Sequence, residues 1–209
     1  MSTTKQTFME ALREQRWDDH RFYHQSRINQ TLHLFSACCF LASYALLAFD
    51  PVTAVLIGWL VAWVSRQIGH FFFEPHDYDQ VNEVSQAHKE AVKVGYNLFR
   101  KYVLLAFFLV TPVLLWRSPD LMGLIDPWQG SQGYLRALSV LWLTIGGAAL
   151  LFRTVQLFFI RDLQTGLVWF VKILTDPFND VRTYWKSPYH LARGELFDPI
   201  HEESRATGI

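Results

Sequence analysis

The chain has only two cysteines, and they stand side by side as Cys38 and Cys39 inside an apolar run. Neighbouring cysteines there give no disulfide framework, so small apolar packing is the expected role and no redox compartment is indicated. Net charge is lacking too, because 19 lysines and arginines balance 19 acidic residues. With no global basic field and no nucleic-acid motif, a nucleic-acid partner is not expected. No internal repeat, low-complexity stretch or composition shift marks a second domain. The first residues are polar and charged rather than a short apolar run before a cleavage site, so no removable signal peptide is expected.

Apolar residues are plentiful, at 51% of the chain, and they are bunched rather than periodic. A bilayer core about 30 Å thick needs roughly 20 predominantly apolar residues per helix. Four stretches approach this, at about 32–50, 52–73, 101–116 and 136–160. The third is the weakest, being short and containing Pro112. The expected fold is all-α: a single integral membrane domain over 1–209, a four-helix transmembrane bundle with cytoplasmic amphipathic segments and an extended C-terminal tail over 175–209. Pro177, Pro188 and Pro199 among aromatics argue for the extended tail. The run 165–174 is apolar but too short to span, so it is placed at the interface or under the bundle.

With four spans, all 19 lysines and arginines except Arg117 and Arg136 share the side that holds both termini and the 74–100 loop. The positive-inside rule places that side in the cytoplasm. Phe8, Met9, Leu12 and Trp17 recur on one side of a helix over 4–17, either interfacial or packed on the loop. A second amphipathic segment is expected from about Gln80, with Val81, Val84, His88, Val92 and Gly95 at threes and fours. In the fourth span, Gly146-Gly147-Ala148-Ala149 suits close approach of another helix, and Arg153 must reach headgroups or bind an anionic group.

Asp50-Pro51 reads as a helix stop followed by a first-turn proline, which makes the first two spans an antiparallel hairpin. His33 lies 17 residues before Asp50 and His70 lies 19 after Pro51. At about 1.5 Å per residue, both imidazoles reach nearly the same depth. Asn29 and His33 are four apart on one face, and Gln67, His70 and Glu74 are spaced by three and four on the other helix. His20 and His24 are also four apart, and His76 and His88 follow in the polar loop. Neutral imidazoles so placed are ligands for Fe(II), Zn(II) or Mn(II), with Glu74 or an aspartate as an oxygen donor. The competing reading makes these histidines interfacial hydrogen-bonders. Convergence of two helix pairs at one depth favours the metal site, although the dense HxxHH clusters of membrane desaturases are lacking.

His24-x4-Asn29-x3-His33 before the first span, then Gln67-x-Gly69-His70 and nearby Glu74, resembles the small membrane family of 2-hydroxy fatty acid dioxygenases. The likeness covers about residues 20–75. It implies a multi-span protein of fatty-acid α-oxidation in phytosphingosine breakdown, using Fe(II) and O2 to shorten a 2-hydroxy acyl chain by one carbon. On it, His24, His33 and His70 map to the motif histidines. His20, His76 and His88 compete for further metal positions, and Asn29, Gln67 and Glu74 are candidate catalytic neighbours. Arg66, ahead of Arg27 and Arg153, is the candidate partner of the substrate carboxylate. The polar stretch after Glu74 and the long tail depart from the family pattern. Two other functions stand beside the dioxygenase: a non-catalytic membrane adaptor that binds a partner through its cytoplasmic face, and a zinc-dependent lipid hydrolase.

Overall fold

The computed structural model describes residues 6–75, 77–79, 82–92, 94 and 98–199, the side chains of 98–100 excepted. Among them are eight helices and no strand. Helix α1 is Phe8–Tyr23, opened by a capping box in which Thr7 and Glu10 exchange side-chain and backbone hydrogen bonds. It runs six residues beyond the 4–17 helix expected from periodicity, carrying Asp18 and His20 into the interior. Helix α2 is Arg27–Leu46. Asp50 caps the next helix by accepting from the Thr53 N–H at 3.1 Å, and Pro51 takes the first turn, where a missing N–H costs nothing. Helix α3 then spans Pro51–Phe72.

The middle of α3, Ile57–Trp63, is π-helical. Such widened turns are rare and leave carbonyls misaligned. Ser36 Oγ on α2 donates to the Ala62 carbonyl at 2.7 Å, and Ser43 Oγ donates to the Ala54 carbonyl at 2.7 Å. These buried bonds pin the hairpin's register, and that register fixes which residues of α2 meet the end of α3.

The loop helix α4 covers only Gln86–Val92, shorter than the segment expected from Gln80. Val81 and Gly95, like His76 and His201, lie outside the described residues. Helix α5 is Leu98–Arg117 and keeps Pro112 inside it. Tyr134 Oη donates to the Pro112 carbonyl and Trp128 Nε1 to the Leu115 carbonyl, each at 3.0 Å. Helix α6 is Gly130–Ile160. Its Gly146 faces Trp59, and a Cβ there would stand 2.9 Å from that ring, so the glycine is what lets α3 and α6 touch. Phe108 and Trp142 stack with centroids 4.8 Å apart and close an aromatic core with Val55, Leu115 and Leu138. The Arg153 guanidinium donates to Gln156 Oε1 and to the Val94 carbonyl.

The extended tail is corrected by the structure. Helix α7 runs Leu163–Tyr184 straight through Pro177, and α8 follows at Ser187–Ala192 with Pro188 in its first turn. A first-turn proline is no breaker, and Pro177 removes only one backbone donor from a helix held by tertiary packing. The run 165–174 is therefore the first half of a 22-residue helix packed against α2 and α6. Among the described residues of the tail, only 195–199 lie outside helices and turns.

Two helices among the described residues, Pro51–Phe72 and Gly130–Ile160, are long and apolar enough to cross a membrane. Only 17% of the most apolar window of α6 is buried. Phe35, Phe107, Val113, Leu143 and Phe152 of α2, α5 and α6 are all more than half exposed. Apolar surface on that scale exceeds what water-facing monomers normally show.

Candidate metal centre

The three histidines of the site come from three helix ends. His24 caps the C-terminus of α1, His33 lies two turns into α2, and His70 lies in the last turn of α3. Each offers one nitrogen to a cluster whose three ligand atoms lie within 4.8 Å of one another. Ring centroids are 4.0 Å apart for His24 and His33, 4.8 Å for His33 and His70, and 5.7 Å for His24 and His70. His24 is 6% exposed and His33 is fully buried.

The outward nitrogens face oxygen. His24 Nδ1 lies 3.0 Å from Tyr184 Oη. His70 Nδ1 hydrogen-bonds Glu74, and His33 Nδ1 lies 3.7 Å from the Asp180 carboxylate. That pattern leaves Nε2 of His24 and of His70 for the cluster, and His24 Nε2 is buried with no hydrogen-bond partner. Ligating histidines characteristically turn their second nitrogen to a carboxylate or other oxygen in this way. Burial first, and the neighbouring His33 and His70 next, hold the His24 imidazole well below its usual range. It is therefore neutral, the form that donates a lone pair to a metal.

Helix α7, read from sequence as tail, supplies the support. Lys172, Asp176, Asp180 and Tyr184 recur every fourth residue on one side of it, and all four are buried. Asp180 pairs with Arg66 of α3, so the candidate substrate arginine already has an acidic partner; its Nε has no hydrogen-bond partner. Tyr184 Oη stands between His24 and His20, the latter at 3.4 Å.

The other candidates are placed as follows. His20 lies on the far side of Tyr184, with Nε2 3.7 Å from Asp198, and outside the three-histidine cluster. His88 is exposed and lies edge-on to Phe22 at 6.3 Å. His76 lies outside the described residues. Asn29 is fully buried, its Nδ2 donating to the Tyr23 carbonyl at 2.9 Å while Oδ1 has no hydrogen-bond partner. Gln67 Oε1 and Glu74 Oε2 are likewise buried without one. Arg27 is committed to Asp198 at 2.8 Å.

Gly69 explains how α2 and α3 come so close. A Cβ at this position would fall inside Asn29 Oδ1 and stand 3.4 Å from His33 Cδ2. Asn29 cannot swing aside without losing its bond to Tyr23. Gly69→Ala is therefore expected to cost about 1–3 kcal/mol and to weaken metal binding by displacing His33 from His70. Thermal melting and metal titration of the variant check this, and wild-type values in both would remove the close-approach role from Gly69.

Residues 11–78 match a family model described as 2-hydroxy-palmitic acid dioxygenase Mpo1-like. The match takes in all three clustered histidines together with Asn29, Gln67 and Glu74, and supports the resemblance read from the sequence. No curated protein and no solved structure matches the chain.

Proposed function

We propose, on the premise of the family match over residues 11–78, that the protein is a membrane-embedded Fe(II)-dependent dioxygenase of a 2-hydroxy fatty acid or related lipid. The observation that carries this reading is the buried cluster of His24, His33 and His70, with an oxygen behind the outward nitrogen of each ring. The His24 Nε2 that faces the cluster is buried with no hydrogen-bond partner, which is costly, and a cation bound there removes that cost. Bound iron would supply O2 activation and a chelation site for the acid's two head oxygens.

The protein's own groups do the rest. Tyr184, Asp180 and Glu74 fix the three rings. Asn29 Oδ1, Gln67 Oε1 and Glu74 Oε2 are buried acceptors available to a bound hydroxyl, and Arg66 Nε is the part of the guanidinium open to a carboxylate. Arg66 otherwise acts through Asp180, holding it beside His33. Burial of the cluster excludes bulk water from it. The apolar outer surface suits a multi-pass membrane protein that takes its acyl substrate from the bilayer, and the distribution of lysine and arginine puts both termini in the cytoplasm.

The adaptor reading asks for a tail free to bind a partner. Helix α7 and the segment to Asp198 are instead packed onto the histidine end. The test is elemental analysis of protein purified anaerobically in mild detergent, followed by O2 uptake with 2-hydroxypalmitate. Near-stoichiometric iron and substrate-dependent uptake are expected. Zinc in place of iron would favour the hydrolase, and a metal-free, well-folded protein even after Fe(II) is restored would favour the adaptor.

A further inference from the structure

A groove of 340 Å³ opens beside Glu74, between the start of α2, the end of α3 and the extended segment after α8. That volume lies at the low end of the range for small-molecule sites, ~300–1,000 Å³. Its walls are Ile28, Phe72, Phe73 and Pro75 on two sides and Leu196 with Phe197 across the top. The top is tied down. Arg27 N–H donates to the Leu196 carbonyl at 2.9 Å and Asp198 N–H to the Gln25 carbonyl at 2.8 Å. The Arg27 and Gln30 side chains both donate to the Asp198 carboxylate, each at 2.8 Å.

The walls are mostly apolar, with Gln25 and Ser26 as polar members, and the buried Glu74 lines the groove as well. Glu74 is 5% exposed; one of its oxygens is held by His70, and the other is buried with no donor. A buried carboxylate oxygen without a donor is costly, so an occupant that brings a hydroxyl there is favoured. The groove thus has the features that a single-chain hydroxy acid needs: a mostly apolar slot, a hydroxyl acceptor in its wall, and the histidine cluster one residue contact further in.

We propose that this groove is the acyl-chain subsite, and that Glu74 Oε2 accepts a hydrogen bond from the hydroxyl on the carbon next to the carboxyl group. The inference rests on the dioxygenase reading for the class of ligand, and adds where the chain lies and what selects the hydroxyl. Phe72, Phe73, Leu196 and Phe197 are then specificity-determining residues for chain length.

The test is anaerobic calorimetric titration of the iron-loaded full chain in nanodiscs with 2-hydroxypalmitate, palmitate and 2-hydroxybutyrate. The wild type should prefer 2-hydroxypalmitate to each of the others by about tenfold. Phe72→Ser with Phe197→Ser, both at exposed side chains, should lower 2-hydroxypalmitate affinity by about tenfold while iron uptake is unchanged. Leu196→Trp, which fills the slot instead of emptying it, should lower it in the same direction. Wild-type affinity in both variants, or no preference for the hydroxylated chain in the wild type, overturns the proposal. Failure of the dioxygenase reading shows separately, as absence of iron from the wild type.

Discussion

His33→Ala and His70→Ala are each expected to lose bound iron, with affinity falling by roughly 100-fold or more and O2 uptake abolished, while helical content is retained. Losing even a supporting partner of a ligand costs about 10–100-fold in metal affinity, so losing the ligand sets a higher floor. The helices themselves do not depend on these rings. The α2 and α3 hairpin is held by Ser36 and Ser43 on α3 carbonyls, by the Asp50 cap and by the aromatic core further along α3. His33 is also buried at the point where α2, α3 and α7 meet, so its truncation leaves a cavity and some loss of stability. His88→Ala is the matching control. Its ring is exposed and outside the cluster, and iron content should be unchanged. Full iron binding and turnover in either cluster variant would end the metal assignment.

The meeting of His33 and His70 was legible because it depends on counting alone. Asp50 and Pro51 mark the turn, rise per residue is constant, and the two rings must reach one depth. His20 shows where counting fails. Its spacing of four from His24 matches that of Asn29 and His33, but a shared face holds only inside a continuous helix. Helix α1 ends at Tyr23, and His24 is its C-cap with φ −115° and ψ 36°; both imidazoles reach Tyr184 Oη, but only His24 joins the cluster. The three rings come from three helices, and that convergence is tertiary. Four spans were expected, and two helices pass on length and composition among the described residues; α2 begins with Arg27, Asn29, Gln30 and His33, all buried by protein.

Helix α7 was hidden by Pro177, read as a breaker when no packing was in view. Its sequence signal was present. Lys172, Asp176, Asp180 and Tyr184 fall at every fourth position among apolar residues, a polar stripe that a continuous helix puts on one side. Reading that periodicity across the proline would have found both Asp180 and Tyr184, the supports behind His33 and His24. Asp198 and Ser187 carry no such signal. Their contacts with Gln30 exist only because the chain after α7 turns back over the start of α2.

Lys172→Met is expected to destabilise the protein by about 3–5 kcal/mol, the usual cost of removing one partner from a buried ion pair. Lys172 is 7% exposed and its ammonium binds both Asp19 of α1 and Asp176, the latter at 2.7 Å. Burial alone would drive the amine to its neutral form; Asp176 and Asp19 overcome that and hold it above its usual range, so it stays charged. The substitution removes the cation that these two carboxylates share. Arg16 still reaches Asp176 at 3.3 Å, and this keeps the loss from the top of the range. The damage should spread to the histidine end, since Asp180 and Tyr184 lie two and three turns further along the same helix. A fall of roughly 10 °C in melting temperature is expected from the size of the chain, together with weaker iron retention. The double variant Lys172→Met, Asp176→Leu should recover part of the stability, because an apolar pair of similar volume replaces a buried ion pair at little cost. If the single variant melts with the wild type, the ion pair contributes nothing to docking α7. If it melts early and the double variant recovers melting and iron together, α7 is the element that holds the histidine cluster in place.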